Sequence, residues 1–475
     1  MKVDVPVHIP AAEELGRVHF IGIAGAGLSG IARVMATRGV PVSGSDQTDS
    51  ATLESLRALG VRCWVGHDSH HVEAVDTVVV STAVREDNPE VVRAQELGLR
   101  LWPRSAGVQS VLVGRRSVVV TGTHGKTTTT SMLATALLLV GAEPSYAIGS
   151  TLNASGLNAG AGRGDIFVVE GDESDGAILA YTPTGAIITN VDVDHLDHFG
   201  TAEAYAEVFV SFLDTIASEG FVVCCVDDSG AARVADEAEN RGIRTIRVGV
   251  TADADIQATS CTFVADSSRF DVRRGDILLG QVVLQVPGQH YIVDAVAALA
   301  AGLELGFDFG PLADGLAAFR GSARRMESKG TADGVRVYDS YAHHPAEITA
   351  DLSAARGMAG DGRLVVCFQP HLFSRTKQFA ISMGEALGRA DEVVVMDVYA
   401  SREVHDPTVS GADVAVAVPL GKTQVAFVPR WDDAAAEVAR RTAPGDLVIT
   451  LGAGDVTQIG SAVLLILAQR SRGAS

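Results

Sequence analysis

Residues 120–130 read VTGTHGKTTTT. An apolar run, SVVVT, leads into Gly122, and Gly125-Lys126 opens a helical run that continues as TTTTSMLATALLLV. Backbone amides of Gly122, Thr123, His124 and Gly125, with the Lys126 ammonium, are the parts of a cradle for nucleotide phosphates. The hydroxyls of Thr127 and Thr128 follow, and Thr127 is placed to hold Mg2+. Only Thr123 and His124 separate Gly122 from the Gly-Lys pair, a shorter gap than the common phosphate-loop pattern has. Threonines at a helix start also serve as caps. The adjoining lysine favours a phosphate site over capping alone.

Two acid-rich stretches follow strand-like runs. VVEGDESD offers Glu170, Asp172, Glu173 and Asp175, and TNVDVDHLDHFG offers Asn190, Asp192, Asp194 and His195. Carboxylates gathered beside a phosphate loop repel one another unless a cation intervenes, so the pattern points to bound metal. A second glycine pattern, Gly25-Ala26-Gly27-Leu28-Ser29-Gly30, comes directly after the apolar run RVHFIGIA. Glycines there let backbone N–H groups approach a diphosphate at a helix N-terminus. Asp46, at the end of the next predicted strand, is placed to accept from a ribose or base. The pattern alone does not choose between a dinucleotide and a nucleotide-sugar. Towards the C-terminus, DSYAHHPAEI and FQPHLFSRT combine histidines with Arg375, whose planar fork suits a carboxylate. Isolated histidines are more often structural, so chemistry alone leaves that pair of stretches open.

The elements that must position these residues alternate between strand and helix along nearly the whole chain, which predicts α/β architecture with parallel sheets. The 475 residues suggest three domains, with boundaries at 1–112, 113–325 and 326–475 and a β-rich excursion around 244–287. A formal charge of −20 argues against nucleic acid and anionic membranes as partners. The N-terminal stretch lacks the apolar core of a signal peptide, and no run is long enough to insert in a membrane, so a cytoplasmic protein is expected. The five scattered cysteines lack metal-site spacing and read as small buried hydrophobes in a reducing compartment.

With these residues in view, the chain resembles the Mur ligase family, and most closely its alanine-adding branch. HFIGIAGAGLSGIA, SGSD, STAVREDNPE, GTHGKTTTT, EGDESD, TNVDVDHLDHFG, VPGQH, RGSARRME, DSYAHHP, FQPHLFSRT and LGAGD carry the resemblance, in that order. It implies an N-terminal Rossmann-like domain for a UDP-sugar, a central ATP-binding domain with a parallel sheet and a small β excursion, and a C-terminal Rossmann-like domain. The implied reaction is ATP-dependent joining of L-alanine to the lactyl carboxylate of UDP-N-acetylmuramate through an acyl phosphate, with Mg2+, in two sites, as cofactor. Oligomeric state is expected to be a monomer or a weak homodimer.

The resemblance also assigns residues. For the UDP-sugar it implies Gly25, Ala26, Gly27, Leu28, Ser29, Asp46, His67, Ser81, Thr82 and Arg104. For ATP it adds Asn190, His290, Asp294, Arg325 and Asp339 to residues 122–128. Thr127, Glu170 and His195 fall where relatives hold metal. Tyr341, His343, His344, His371 and Arg375 fall around the amino acid, and Lys126, Glu170, His195, Arg325 and His343 around the chemistry. Three departures stand out: Ala24 replaces a glycine, and Tyr291 and Asp294 replace asparagines. An ionised Asp294 offers only acceptors: either it accepts from the amino group of adenine, the favoured reading, or it points away and Tyr291 stacks instead. TAEAYAEVFVSF contains no lysine where other branches carry a modified lysine as metal ligand, a difference that fits the alanine-adding branch. Rival readings are a ligase that attaches a tripeptide to the same UDP-sugar, an NAD-dependent oxidoreductase, and a non-catalytic UDP-sugar sensor. The second leaves Lys126, Glu170 and His195 without a role.

Overall fold

The computed structural model describes residues 3–251, 253–264, 266–401 and 403–473, without the side chains at 197, 472 and 473. The chain is built as three α/β domains on parallel-sheet cores. It divides into two compact units, one of residues 1–260, 270–283 and 293–319, the other of residues 261–269, 284–292 and 320–475.

The first unit contains a five-stranded parallel sheet in the spatial order Arg62–Val65, Val42–Asp46, Val18–Ile21, Thr77–Val80, Arg100–Pro103. All four residues of both Val18–Ile21 and Thr77–Val80 are buried. That is the signature of a sheet covered on both faces, and it explains why these strands read as unbroken apolar runs. Strand order reverses beside Val18–Ile21, and ligands of doubly wound sheets bind at the carboxyl ends of strands near such a point.

The same unit carries most of a ten-stranded sheet. Its centre runs Arg244–Gly249, Phe221–Cys225, Gly185–Ile188, Arg116–Thr121, Ile166–Glu170, Ser145–Ala147, all parallel. The β excursion expected from the sequence is present as Ile256–Val264, Ser267–Arg274 and Ile277–Leu284. Register matters most for function. Thr121 lies opposite Ile188, and Val120 lies opposite Glu170. Three loops therefore leave neighbouring strands at one level: 122–125, the acid-rich stretch after Glu170, and the stretch from Thr189. The helix Lys126–Leu139 starts with four buried threonines. Thr130 satisfies its hydroxyl locally by donating to Lys126 O at 2.7 Å.

The second unit holds a six-stranded sheet ordered Glu327–Ala332, Val335–Ser340, Leu447–Leu451, Leu364–Phe368, Glu392–Val395, Val425–Phe427. Its first pair is antiparallel and the others are parallel. Ser340, Leu451 and Phe368 share one level of the register. The polar stretches 341–347 and 369–375 consequently leave the same edge.

Candidate active site

In the central sheet the chain turns sharply at Gly122 (φ 134°), where an added Cβ would stand 2.1 Å from the Thr189 hydroxyl. Only glycine fits that position. Asn190 fastens the loop from the neighbouring strand: its Oδ1 accepts from His124 N at 2.8 Å and its Nδ2 donates to His124 O at 3.0 Å. Thr189 Oγ1 also donates to His124 O at 2.5 Å, and Asp192 N donates to Thr123 Oγ1 at 2.9 Å. Gly125 (φ 82°) caps the following helix, and the Asp294 carboxylate lies against it, 2.7 Å from where a Cβ would stand. Asp294 thus sits beside the backbone of this loop.

Lys126 bends back over its own loop. Its Nζ donates to Gly122 O (2.7 Å), Thr123 O (3.0 Å) and Glu173 Oε1 (3.0 Å). Burial pulls the ammonium towards neutrality, but Glu173, Asp172 and Glu170 outweigh it and hold Lys126 above its ordinary value. Glu173 is fully buried, and burial pushes its carboxyl up to about 7 against the pull of Lys126. The Tyr205 hydroxyl donates towards both Thr123 Oγ1 (3.0 Å) and Glu173 Oε1 (3.2 Å). Glu173 stands in the sequence only as one of the clustered carboxylates, and Tyr205 has no role there. For Glu173 the signal was its place in an acid-rich loop; Tyr205 had none.

Thr127 and Glu170, both expected at metal, meet directly: the hydroxyl donates to Glu170 Oε1 at 3.0 Å. Adjacent ligands of an octahedral Mg2+ stand about 2.9 Å apart, so this pair already has the spacing such an ion requires. Gly149 N donates to Glu170 Oε2 at 2.7 Å and fixes the carboxylate from behind. His195, in the left-handed region (φ 53°), places Nε2 at 3.8 Å from Glu173 Oε1 and 3.7 Å from Asp194 Oδ2.

At the edge of the five-stranded sheet, Gly25 caps the helix Ala26–Thr37. The N–H groups of Leu28 and Ser29 are taken by Gly25 O at 3.0 and 2.9 Å. The first helical N–H groups, of Ala26 and Gly27, have no intrahelical acceptor. The Leu28 and Ser29 side chains are buried, and Asn158 Nδ2 reaches Ser29 Oγ at 3.3 Å. Asp46 accepts from Ala24 N (2.9 Å) and Gln47 N (2.8 Å), binding the glycine loop to the next strand. Ser81 N donates to Ile21 O at 3.2 Å, and Thr82 beside it is exposed. Arg104 packs over Gly27 and pairs with Asp172 at 2.7 Å, linking the glycine loop to the acid-rich loop. Burial disfavours both charges, but each stabilises the other: Arg104 is shifted up and Asp172 down.

In the second unit Tyr341 lies near two guanidinium groups, at 4.9 Å from Arg324 and 5.3 Å from Arg325. His343 Nδ1 bonds Tyr341 O at 2.9 Å, and burial holds this imidazole down at about 3 despite Glu347 nearby. His343 and His371 pack edge to face at 5.8 Å, and His371 stacks on Tyr399 at 5.9 Å. Arg375, one helical turn beyond His371, approaches its Nδ1 at 3.4 Å. Leu372 between them has φ 68°, a strained setting for a branched residue. These four side chains come together as expected, with Tyr399 as an unforeseen neighbour. His344 is the N-cap of helix Pro345–Ala359, where its Nδ1 accepts from Ala346 N at 3.4 Å. Asp339 is fully buried, accepting from Thr450 (2.6 Å), Thr457 (2.7 Å) and Arg324 (3.2 Å). His290 places Nε2 3.5 Å from Asp351, and burial lowers its imidazole to about 4. Arg325 stands 3.7 Å from Glu347.

Comparison with known proteins agrees with this construction from end to end. The chain matches the Mur ligase family catalytic domain over residues 17–114, the Mur ligase middle domain over 120–302 and the Mur ligase glutamate ligase domain over 324–454. It is 56% identical to a UDP-N-acetylmuramate–L-alanine ligase of a Nocardioides species, across 98% of this chain and all of that one. The chain belongs to the Mur ligase family. A Saccharopolyspora erythraea protein of the same name is 51% identical over 97% of this chain and 95% of its own length. Among solved structures, the Thermotoga maritima UDP-N-acetylmuramate-alanine ligase superposes with a TM-score of 0.79 at 28% identity, over 97% of this chain and all of that one. A murein peptide ligase from Psychrobacter arcticus shares the fold, with a TM-score of 0.69 at 24% identity over 95% of this chain and 99% of that one. Family membership makes the chain an ATP-dependent ligase that forms peptide bonds.

The packing at Glu170 gives a direct test. A Cβ at Gly149 would stand 2.7 Å from Glu170 Oε1 and push the carboxylate off Thr127. Gly149→Ala is expected to raise the Mg2+ concentration needed for half-maximal activity by roughly tenfold, on the scale of lost support to a metal ligand. An unchanged Mg2+ titration would remove Glu170 from the metal site.

Proposed function

We propose that this chain joins L-alanine to the lactyl carboxylate of UDP-N-acetylmuramate, consuming ATP and releasing ADP and phosphate, in the building of peptidoglycan. The observation that carries the reading is the meeting of Lys126, Thr127 and Glu170 at adjacent strand ends, in a chain matched along its length by alanine-adding relatives. The tripeptide alternative is less well supported, since the relatives matched at 56% and 51% along nearly the whole chain bear the alanine-adding name, whereas a structure named as the tripeptide ligase is 28% identical over 65% of this chain.

Residues 1–112 bind the UDP-sugar, 113–325 bind ATP, and 326–475 bind the amino acid. A carboxylate is a poor electrophile. A lactyl oxygen attacks the γ-phosphorus, ADP leaves, and the carboxyl becomes an acyl phosphate. The unprotonated amine of alanine then attacks the acyl carbon, a tetrahedral intermediate forms, the C–O bond to phosphate breaks with its electron pair going to the phosphate oxygen, and the nitrogen passes one proton to the departing phosphate while keeping the other as the amide N–H. Lys126, held cationic, offsets charge on the transferring group. Thr127, Glu170 and His195 would hold Mg2+, which supplies further positive charge to the phosphate oxygens. Arg375 pairs with the alanine carboxylate. His343 stays neutral and keeps Nε2 as an acceptor for the amine; a value near 3 makes it an orienting group rather than a base at neutral pH. Work on ATP and a nucleotide-sugar suits a cytoplasmic enzyme, and among the described residues no helix is long and apolar enough to cross a membrane.

ADP release with UDP-N-acetylmuramate and a panel of amino acids tests the reading: turnover should require both the sugar and L-alanine. Release without either substrate, or only with a tripeptide, would refute it. Lys126→Ala should lose about a thousandfold or more in kcat, the scale of a lost transition-state cation. Near-normal turnover would remove Lys126 from the chemistry.

Arg375→Lys replaces a planar fork with a point charge. Its apparent KM for alanine should rise by roughly tenfold, with ATP and sugar affinities kept. An equal loss of ATP affinity would place Arg375 on the nucleotide side.

A further inference from the structure

The Asn-Pro-Glu run at 88–90 closes the stretch STAVREDNPE and has so far been given no role. Asn88 caps the helix Pro89–Glu96, its Oδ1 accepting from Glu90 N at 2.9 Å and Val91 N at 3.4 Å. Pro89 takes the first turn, where a missing N–H costs nothing. Glu90 then points inward and is fully buried. A carboxylate out of water is costly unless its lone pairs are filled. Here they are filled by elements from across the sheet. Glu90 Oε2 accepts from Ser45 Oγ (2.5 Å) and His67 Nδ1 (3.0 Å), and Oε1 accepts from His71 Nδ1 (2.6 Å). His19 Nε2 lies 3.6 Å away.

These donors fix the charge state. Burial works against ionisation, yet the nearby His19 ring and the hydrogen bonds from Ser45 and His71 outweigh it and hold Glu90 at about 2. An ionised carboxylate only accepts. His67 must therefore carry its proton on Nδ1, and in the neutral ring Nε2 is left as an acceptor. The His67 side chain is 21% exposed, and among the described residues Nε2 has no partner. His71 is held the same way but is covered by Trp64, stacked on it at 4.3 Å.

His67 also stands in a telling place. It follows Gly66 (φ 85°) at the carboxyl end of strand Arg62–Val65. The glycine loop leaves the carboxyl end of Val18–Ile21, Asp46 ends the strand beside it, and Arg62–Val65 is next in the sheet. A nucleoside diphosphate with its phosphates on the glycine loop extends its nucleoside over those neighbouring strands. The base end of such a ligand reaches the level of His67.

We propose that Glu90 is a positioning residue that locks His67 as a hydrogen-bond acceptor for a ring N–H of the nucleobase, so that the site selects uracil over cytosine. Uracil presents a donor at N3, whereas cytosine presents a lone pair there that would face the Nε2 lone pair. The proposal rests on residues 1–112 being the nucleotide-sugar domain. Ser45 shares in the arrangement, since its hydroxyl also lies 2.9 Å from His67 Nδ1.

The test is calorimetric titration of the full chain with UDP and with CDP, for the parent and for Glu90→Gln. A glutamine amide can donate to Nδ1 and so allow the opposite tautomer. The parent should prefer UDP, and Glu90→Gln should shrink the UDP/CDP ratio by roughly tenfold, the scale of one mispaired buried donor or acceptor, while ATP binding is unchanged. 15N NMR of the parent's imidazoles gives a reading that needs no variant: His67 should show a protonated Nδ1. A parent that binds no UDP overturns the reading of the domain. A parent that binds UDP, with either a protonated Nε2 on His67 or an unaltered ratio in Glu90→Gln, overturns the positioning role alone.

Discussion

The central site turns on a shortage of positive charge among largely buried carboxylates. Lys126 is the ammonium set among Glu170, Asp172 and Glu173, and it is fastened to Gly122 O and Thr123 O as well as to Glu173. In low dielectric such a set is tolerable only where every charge has an opposite within reach. Arg104 answers Asp172 and Lys126 answers Glu173; burial relieves the rest by raising Glu173 towards neutrality. What is left is Glu170, tied to neutral donors, the Thr127 hydroxyl and Gly149 N. On the proposed reading, that residual negative charge, beside a loop shaped by Gly122, would draw a cation and with it the phosphates of a nucleotide.

Parallel register is what makes the arrangement possible. A shift of one residue between Arg116–Thr121 and Ile166–Glu170 would carry Glu170 away from Thr127 and turn it to the other face. The same rule holds in the second unit, where Ser340 and Phe368 share a level and let stretches separated by some thirty residues of chain place His343 near His371.

Much of this was readable from residues alone, and the reasons are specific. The glycine loops, Lys126 and Thr127 lie within short spans, so their spacing encodes their geometry. The apolar strands declared themselves because both faces are covered. Tyr205 and Tyr399 did not, because each acts through a partner far along the chain: Tyr205 meets Thr123 across 82 residues. His344, expected around the amino acid, also caps a helix, since a histidine just before Pro-Ala-Glu completes a capping box with Glu347. Asp339, expected on the nucleotide side, is buried and held by Thr450, Thr457 and Arg324, hydroxyl and guanidinium donors that no local pattern announces. Asp294 was read as an acceptor for adenine, and its carboxylate rests against Gly125.

The contact between Arg104 and Asp172 joins two loops that belong to different sheets. One guanidinium thereby serves two masters, since it also covers Gly27 at the start of the neighbouring helix. Any anion that draws Arg104 towards the helix end strips Asp172 of its counter-ion and deepens the negative potential around Lys126. A cation arriving at the acid-rich loop has the converse effect and frees Arg104. Linkage makes the two effects equal in free energy, so occupancy of either loop is felt at the other without any backbone having to move.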